Sequence, residues 1–281
     1  MRLAMTNHEN PFQKIKCEEF EKLHQQKGAF LIPNPWDTGS ARILQGLGFK
    51  ALATTSAGLA YTLGRADGEV TLDEKLAHCS SLAENTQIPI NVDFENGFAD
   101  APEEVANNVL KLIATGVAGC SVEDFSRDDL QLYDFNLAVE RVQAAVEVVN
   151  NLDMPFQFTA RAENLLRGVN DIDDTIKRLQ AFEAAGANVL YAPGINSLEQ
   201  LRQVTSELNR PFNVLAPLFS GVTVDEFSEA GAQRISVGAA LNRVSISPLL
   251  KAGKEMLSQG TFSWTGEMAS GVEVEGLMGG Q

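Results

Sequence analysis

Ile88-Pro-Ile-Asn-Val-Asp93-Phe-Glu95 and Gly119-Cys-Ser-Val-Glu123-Asp124 each run a β-strand pattern into a pair of carboxylates. In a protein of alternating parallel strands and helices, the C-terminal strand ends converge on one face. The four carboxylates are therefore expected to lie close together, although about thirty residues separate the two pairs. Crowded carboxylates repel one another unless a cation sits among them, and hard oxygen ligands favour Mg²⁺ or Mn²⁺. The alternative is that Asp and Glu at strand ends cap the helices that follow. That leaves two such clusters on neighbouring strands without a reason.

Outward from this stretch the chain keeps the same alternation. Strand patterns cover 29–33, 50–55, 88–93, 117–122, 156–160, 188–191, 212–215 and 234–237. Helical patterns follow them over 39–47, 72–86, 102–115, 136–151, 172–185, 198–208, 223–230 and 242–258. Gly48, Gly186 and Gly231 stand where helices stop, and Asp100 and Asn136 are candidate N-caps. The stretch 56–68, rich in Gly and small residues, reads as a loop, and 125–135 as a longer polar loop. Eight such units with mostly short connections point to an α/β protein, a closed (β/α)₈ barrel of the TIM type. An open doubly wound sheet usually has fewer strands and a glycine fingerprint after the first. The expected division is an N-terminal helical extension over 1–28, the barrel over 29–260 and a tail over 261–281. That tail is either a helix used by a neighbouring subunit or disordered.

Composition agrees with one large domain. The 281 residues are 44% hydrophobic, and a single (β/α)₈ barrel takes about 250. The net charge of −15 argues against nucleic acid and anionic membrane surfaces as partners. A small anionic substrate stays open, because a local metal and arginine can reverse the field inside a cleft. The opening Met1-Arg-Leu-Ala-Met-Thr-Asn-His8 lacks a long apolar run before a small-residue cleavage site, and no stretch of about twenty apolar residues follows. Neither secretion nor membrane insertion is expected. Cys17, Cys79 and Cys120 have no metal-ligand spacing and cannot all pair, which suits a reducing cytoplasm. Cys120 falls inside a strand pattern, where a buried thiol is expected rather than a nucleophile. His8, His24 and His78 all lie away from the strand ends. A histidine general base or an imidazole zinc site is therefore disfavoured.

In a barrel the active site sits where strands end. At the second strand end, the small residues Ser56, Ala57 and Gly58 would let backbone amides approach a bound carboxylate, with the Ser56 hydroxyl as a further donor. A flexible turn explains the same spacing equally well. Arg161, with Glu163 beside it, offers a bidentate fork to a carboxylate or phosphonate, or else makes a structural ion pair.

Six segments, taken in order, carry a resemblance. They are Pro33-Asn-Pro-Trp-Asp-Thr-Gly-Ser-Ala-Arg42, Thr54-Thr-Ser-Ala-Gly-Leu-Ala60, Leu63-Gly-Arg-Ala-Asp-Gly68, Val92-Asp-Phe-Glu-Asn-Gly97, Val122-Glu-Asp124 and Thr159-Ala-Arg161. Together they resemble the isocitrate lyase and phosphoenolpyruvate mutase superfamily, over about 30–261. The resemblance implies a (β/α)₈ barrel whose last helix swaps between subunits, in a homodimer or homotetramer. It implies Mg²⁺ bound directly by Asp93 and through water by Glu95 and Glu123. Ser56, Ala57 and Gly58 would grip the substrate carboxylate and Arg161 would face the leaving end. Asp67 and Asp124 would orient metal waters. Substrates implied are small 2-oxo acids that react through an enolate.

Departures from the pattern narrow the choice. The Lys-Lys/Arg-Cys-Gly loop of the isocitrate and methylisocitrate lyases is replaced by Glu123-Asp-Phe-Ser-Arg-Asp-Asp-Leu-Gln-Leu-Tyr133, which disfavours a retro-aldol lyase of that kind. The lysine and asparagine loop of the phosphonate-handling branches is missing too. What remains resembles the decarboxylase-like members, since losing CO₂ needs an electron sink but no base. The 125–135 loop could close over the substrate, with Tyr133 or Arg127 reaching the ligand or facing solvent. The expectation is a Mg²⁺-dependent carbon–carbon lyase on a small 2-oxo dicarboxylate, with oxaloacetate decarboxylation first. Phosphonopyruvate hydrolase or phosphonomutase chemistry, and a barrel that binds a 2-oxo acid without turnover, are the alternatives. Tyr191, Pro193, Leu218, Phe219 and Leu241 are candidates by position for selecting the variable end.

Overall fold

The computed structural model describes residues 11–279. His8 and the rest of 1–10 lie outside the described residues. Among those described, eight strands form the barrel: β1 (Phe30–Ile32), β2 (Leu52–Ala53), β3 (Ile90–Asp93), β4 (Gly119–Glu123), β7 (Gln157–Arg161), β8 (Val189–Tyr191), β9 (Phe212–Leu215) and β10 (Arg234–Ser236). The order is β1-β10-β9-β8-β7-β4-β3-β2, with every pair parallel. The ring closes where the Ala53 amide donates to the Pro33 carbonyl at 3.0 Å. Asn34 sutures the same seam. Its amide donates to the Thr54 carbonyl, and its carbonyl oxygen accepts from the Val237 and Gly238 amides, all at 2.9 Å.

Period-2 alternation sends successive side chains to opposite faces. Val92, Cys120, Phe158, Val214 and Ile235 point outward into the apolar layer under the helices and are buried. The inward row is different in kind: Asn91, Ser121, Thr159, Asn213, Arg234 and Ser236 are polar and buried. The β4–β7 register sets Glu123 beside Arg161 at the rim.

The N-terminal helix α1 (Pro11–Gln25) closes the opposite end of the barrel. Gln13 donates to the Ile113 and Val117 carbonyls at 2.7 and 2.9 Å, and Lys16 to the Ala83 and Thr86 carbonyls at 2.8 and 2.7 Å. Its Cys17 and Phe20 are sealed. His24 Nδ1 lies 2.8 Å from the Phe20 carbonyl. A carbonyl only accepts, so Nδ1 carries the proton.

His24 makes the fold acid-sensitive in a defined window. Burial first, then the charge on Arg234, pushes its pKa down from 6.5 to about 3. The unfolded chain takes up a proton there below pH 6.5 while the folded one does not. This contribution to stability is full above pH 6.5 and is lost as pH falls toward 3. Between pH 6.5 and 5 the loss is about 2 kcal/mol. His24→Phe removes that slope, so urea midpoints at pH 7 and pH 5 should converge for the variant relative to the natural chain. Parallel pH dependence of the two proteins would count against this account.

Several local expectations are corrected. Residues 56–68 are not all loop: α3 (Ser56–Thr62) forms there because Thr55 caps it with its hydroxyl. Asp100 does not cap the helix α5 (Pro102–Ile113), whose N-cap is Ala101; its carboxylate takes the Tyr133 hydroxyl instead. Asp134, not Asn136, caps α6 (Phe135–Asn150). The 125–135 loop contains a small antiparallel hairpin, β5 (Phe125–Ser126) with β6 (Gln131–Leu132). After the barrel, α10 (Ala240–Gln259) leaves Val244, Leu249 and Leu257 exposed. The tail then folds into α11 (Gly271–Met278), which packs on α2 (Thr38–Gly46) of the same chain.

Candidate active site

The turn after β3 sets the chemistry. Glu95 has φ of +54°, in the left-handed region that residues with a side chain rarely adopt. The bend is held by the Gly97 amide donating to the Phe94 carbonyl and the Glu123 amide donating to the Glu95 carbonyl, both at 2.8 Å. Such backbone strain persists only where the surroundings over-determine it. Here it turns the Glu95 carboxylate inward, 3.2 Å from Lys75 Nζ. Lys75, fully buried on α4 (Leu72–Asn85), also donates to the Asp93 carbonyl at 3.1 Å.

Three of the four expected carboxylates, Asp93, Glu95 and Glu123, are drawn together by arginines. Arg161 Nη1 lies 3.4 Å from Asp93 Oδ1 and 3.3 Å from Glu123 Oε2, while its Nε is held by Glu163. Arg127, from the hairpin, puts Nη1 2.5 Å from Glu95 Oε2, Nε 3.8 Å from Glu123 Oε1 and Nη2 3.8 Å from Asp67 Oδ1. Arg167 reaches Glu123 at 3.5 Å and Glu163 at 3.2 Å, with its guanidinium over the Phe125 ring. Asp124 is occupied elsewhere. One of its oxygens accepts from the Glu163 amide at 2.8 Å and the other from Arg178, on α7 (Ile172–Ala184), at 3.0 Å.

The small-residue segment is partly committed as well. The Ser56 amide donates to Asp93 Oδ2 at 3.0 Å, and the Gly58 amide to the Thr55 hydroxyl at 3.3 Å. Ser56 and Ala57 line a cavity of about 190 Å³ together with Asp93, Arg161 and Tyr191. Gly58 does not line it. A Cβ there would come within 2.5 Å of Thr55 and 2.8 Å of Trp36, so packing requires the glycine. Of the five positional candidates for the variable end, Tyr191 lines the cavity. Asn213, Arg234 and Ser236, which the strand-end rule passed over, line it too.

Electrostatics separates the acids. Burial pushes the Asp93 carboxyl up, but Arg161, Lys75 and the Ser56 amide together outweigh it and hold Asp93 below the usual range. For Glu123 burial wins over Arg161, and its pKa is pushed up to about 7. Burial also raises Glu95. Asp93 is thus the acid at the cavity wall whose neighbours favour its ionised form.

Among the described residues, no three His, Cys, Asp or Glu side chains are arranged to cage a metal ion by themselves. Glu95 Oε1 and Glu123 Oε1 are buried without a hydrogen-bond partner, because the nearby cations lie off hydrogen-bond geometry. Hard carboxylate oxygens held by ion pairs but not spent on hydrogen bonds, behind Asp93, fit Mg²⁺, which keeps several waters and takes one or two carboxylates directly.

Residues 20–257 match the family model described as phosphoenolpyruvate phosphomutase. A crystal structure from Burkholderia cenocepacia J2315, described only provisionally as a lyase/mutase, is 43% identical; the match covers 94% of this chain and 95% of that one, with a TM-score of 0.91. The 2-methylisocitrate lyase of Escherichia coli is 30% identical over 224 residues, 73% of each chain. The oxaloacetate decarboxylase of Pseudomonas putida (strain GB-1) is 28% identical over 200 residues, 68% of this chain and 67% of its own.

Proposed function

Because the chain belongs to the phosphoenolpyruvate phosphomutase family, a group of lyases and mutases in the isocitrate lyase superfamily, we propose that it is a Mg²⁺-dependent carbon–carbon lyase. Its substrate on this reading is a small 2-oxo dicarboxylic acid, oxaloacetate first, and the reaction is decarboxylation. The observation that supports it most is the Asp93–Arg161 pair at the wall of a small cavity, backed by the buried Glu95 and Glu123 carboxylates, each with one oxygen that makes no hydrogen bond. A cavity of about 190 Å³ suits a ligand well below drug size, whose pockets start at about 300 Å³.

Asp93 would hold the ion directly, with Glu95 and Glu123 reaching it through water. A bound Mg²⁺ would polarise the 2-oxo oxygen and take up the charge that develops there. The rest of the work falls to the chain. The Ser56 amide occupies one Asp93 oxygen and so fixes the direction of the other. Glu163 pins the Arg161 guanidinium, which orients the substrate carboxylate against the cavity wall. Loss of CO₂ removes no proton from carbon, so the buried His24 and the half-buried His78, both favoured neutral, are not needed as bases. Arg127 ties the hairpin to the acid cluster.

Two further parts belong to the reading. The apolar residues exposed along α10, with Leu257 at 92%, support a homodimer or homotetramer built through that helix. A monomer mass in solution would remove this part. Free, buried thiols at Cys17, Cys79 and Cys120 support a cytoplasmic location. The matched family model makes carbon–phosphorus chemistry on phosphonopyruvate the second reading.

A panel of 2-oxo acids and phosphonopyruvate, with Mg²⁺ and with chelator, decides between them. Pyruvate and CO₂ should appear from oxaloacetate only with the metal. Phosphate from phosphonopyruvate, with no pyruvate from oxaloacetate above the metal-only background, would replace the leading reading by the second.

A further inference from the structure

Arg234 is a charge that the proposed chemistry leaves unused. Its guanidinium sits inside the barrel, 2% exposed, and each hydrogen-bond partner is neutral. Nε donates to Asn213 Oδ1 at 2.9 Å, Nη2 to the Thr159 hydroxyl at 3.1 Å, and Nη1 faces His24 Nε2 at 3.5 Å. Since the proton of His24 is on Nδ1, its Nε2 presents a lone pair. Among the described residues no carboxylate lies in ion-pair range of Arg234. Arg127, Arg161, Arg167 and Arg178 all have such partners.

A buried charge without an opposite one costs several kcal/mol. Burial pushes Arg234 down to about 10, which still leaves it charged at neutral pH. Its setting is equally unusual. Barrels of this type fill their interior with branched apolar side chains, whereas Arg234 shares its cavity with Asn91, Ser121, Asn213 and Ser236.

We propose that Arg234 is the seat of the substrate's second anionic group, so that the ligand is a dianion spanning from the Asp93–Arg161 rim to the cavity floor. The inference rests on the reading above in using the same cavity, and it sharpens the substrate class. Thr159, which Arg234 touches, and Arg161 are two residues apart on β7, roughly 7 Å along the strand. With bonds near 1.5 Å, a ligand bridging both guanidinium groups needs roughly four or five carbons. A three-carbon monocarboxylate engages only one end.

The test compares the natural chain with Arg234→Met and Asn213→Asp, by calorimetric binding and by thermal melts, with Mg²⁺ present. Pyruvate is the monoanion, 2-oxoglutarate the 2-oxo dianion, and succinate a dianion lacking the 2-oxo group. The natural chain should prefer 2-oxoglutarate over pyruvate by at least about tenfold, and each variant should lower that preference to within about twofold. Asn213→Asp keeps the arginine and places a carboxylate where an acceptor now lies 2.9 Å from Nε, filling the anion seat from within. It therefore carries the test if Arg234→Met fails to fold. Neither variant that folds should melt lower than the natural chain without ligand, because Arg234→Met removes the unpaired buried charge and Asn213→Asp gives it a partner. A dianion preference kept in both variants, or absent from the natural chain, overturns the proposal. Succinate separates the two ideas. If it binds the natural chain but not the variants, and 2-oxoglutarate binds no tighter, the metal and 2-oxo reading fails while the Arg234 seat stands.

Discussion

Asp93→Asn will lower metal-dependent turnover by at least about 10³-fold, roughly 4 kcal/mol of transition-state stabilisation, while leaving the barrel folded. The substitution keeps the shape of the side chain. An amide oxygen can still accept from the Ser56 amide, as Asp93 Oδ2 does at 3.0 Å. What disappears is the one acid in the cluster that its neighbours hold ionised below the usual carboxylate range. Glu95 and Glu123 are poor replacements, because burial raises both. The measurement is kcat at saturating Mg²⁺ beside Mn²⁺ binding followed by electron paramagnetic resonance, with circular dichroism to check the fold. Both kcat and ion affinity should fall. A variant that retained more than about a tenth of its activity would show that Asp93 is not the inner ligand.

The fold was legible because two signals repeat along the chain. Gly186 and Gly231 take φ of +101° and +91° where their helices stop, and short apolar runs follow them into β8 and β10. The strand-end rule then led to Asp93, Glu95, Glu123 and Arg161, which do meet. It could not lead to Asn213, Arg234 or Ser236, which lie inside strand patterns that read as ordinary core. Their inward direction depends on barrel register, which no local pattern encodes. Lys75 was hidden for a related reason, since a lysine in a helix reads as a solvated residue until tertiary packing buries it. Capping details were lost where another residue with a capping side chain stands two positions from the expected one. Asp134 and Asn136 are both good caps, and only the hairpin before them decides that the chain enters the helix at Asp134. Arg127 was visible as a loop cation, but its place among Asp67, Glu95 and Glu123 follows from that same hairpin.

Lys75→Met will destabilise the protein by about 3 kcal/mol, the scale expected when one partner of a buried ion pair is removed. Methionine keeps most of the unbranched stem that packs in α4, so little of the loss comes from a cavity. The cost arises at Glu95, 2% exposed, whose Oε1 loses the ammonium 3.2 Å away, and at the Asp93 carbonyl, which loses its 3.1 Å donor. Arg127 remains 2.5 Å from the other Glu95 oxygen, which keeps the loss near the lower end of the range. Pairing the change with Glu95→Gln removes the stranded charge. The double variant should then recover at least about 1.5 kcal/mol relative to the sum of the two single losses. Urea denaturation of the four proteins measures this coupling directly. Additive losses would mean that Lys75 stabilises the fold by packing alone. A coupling of the expected sign would mean instead that the buried Glu95 carboxylate, at a backbone φ of +54°, is kept in the acid cluster by the charge of Lys75.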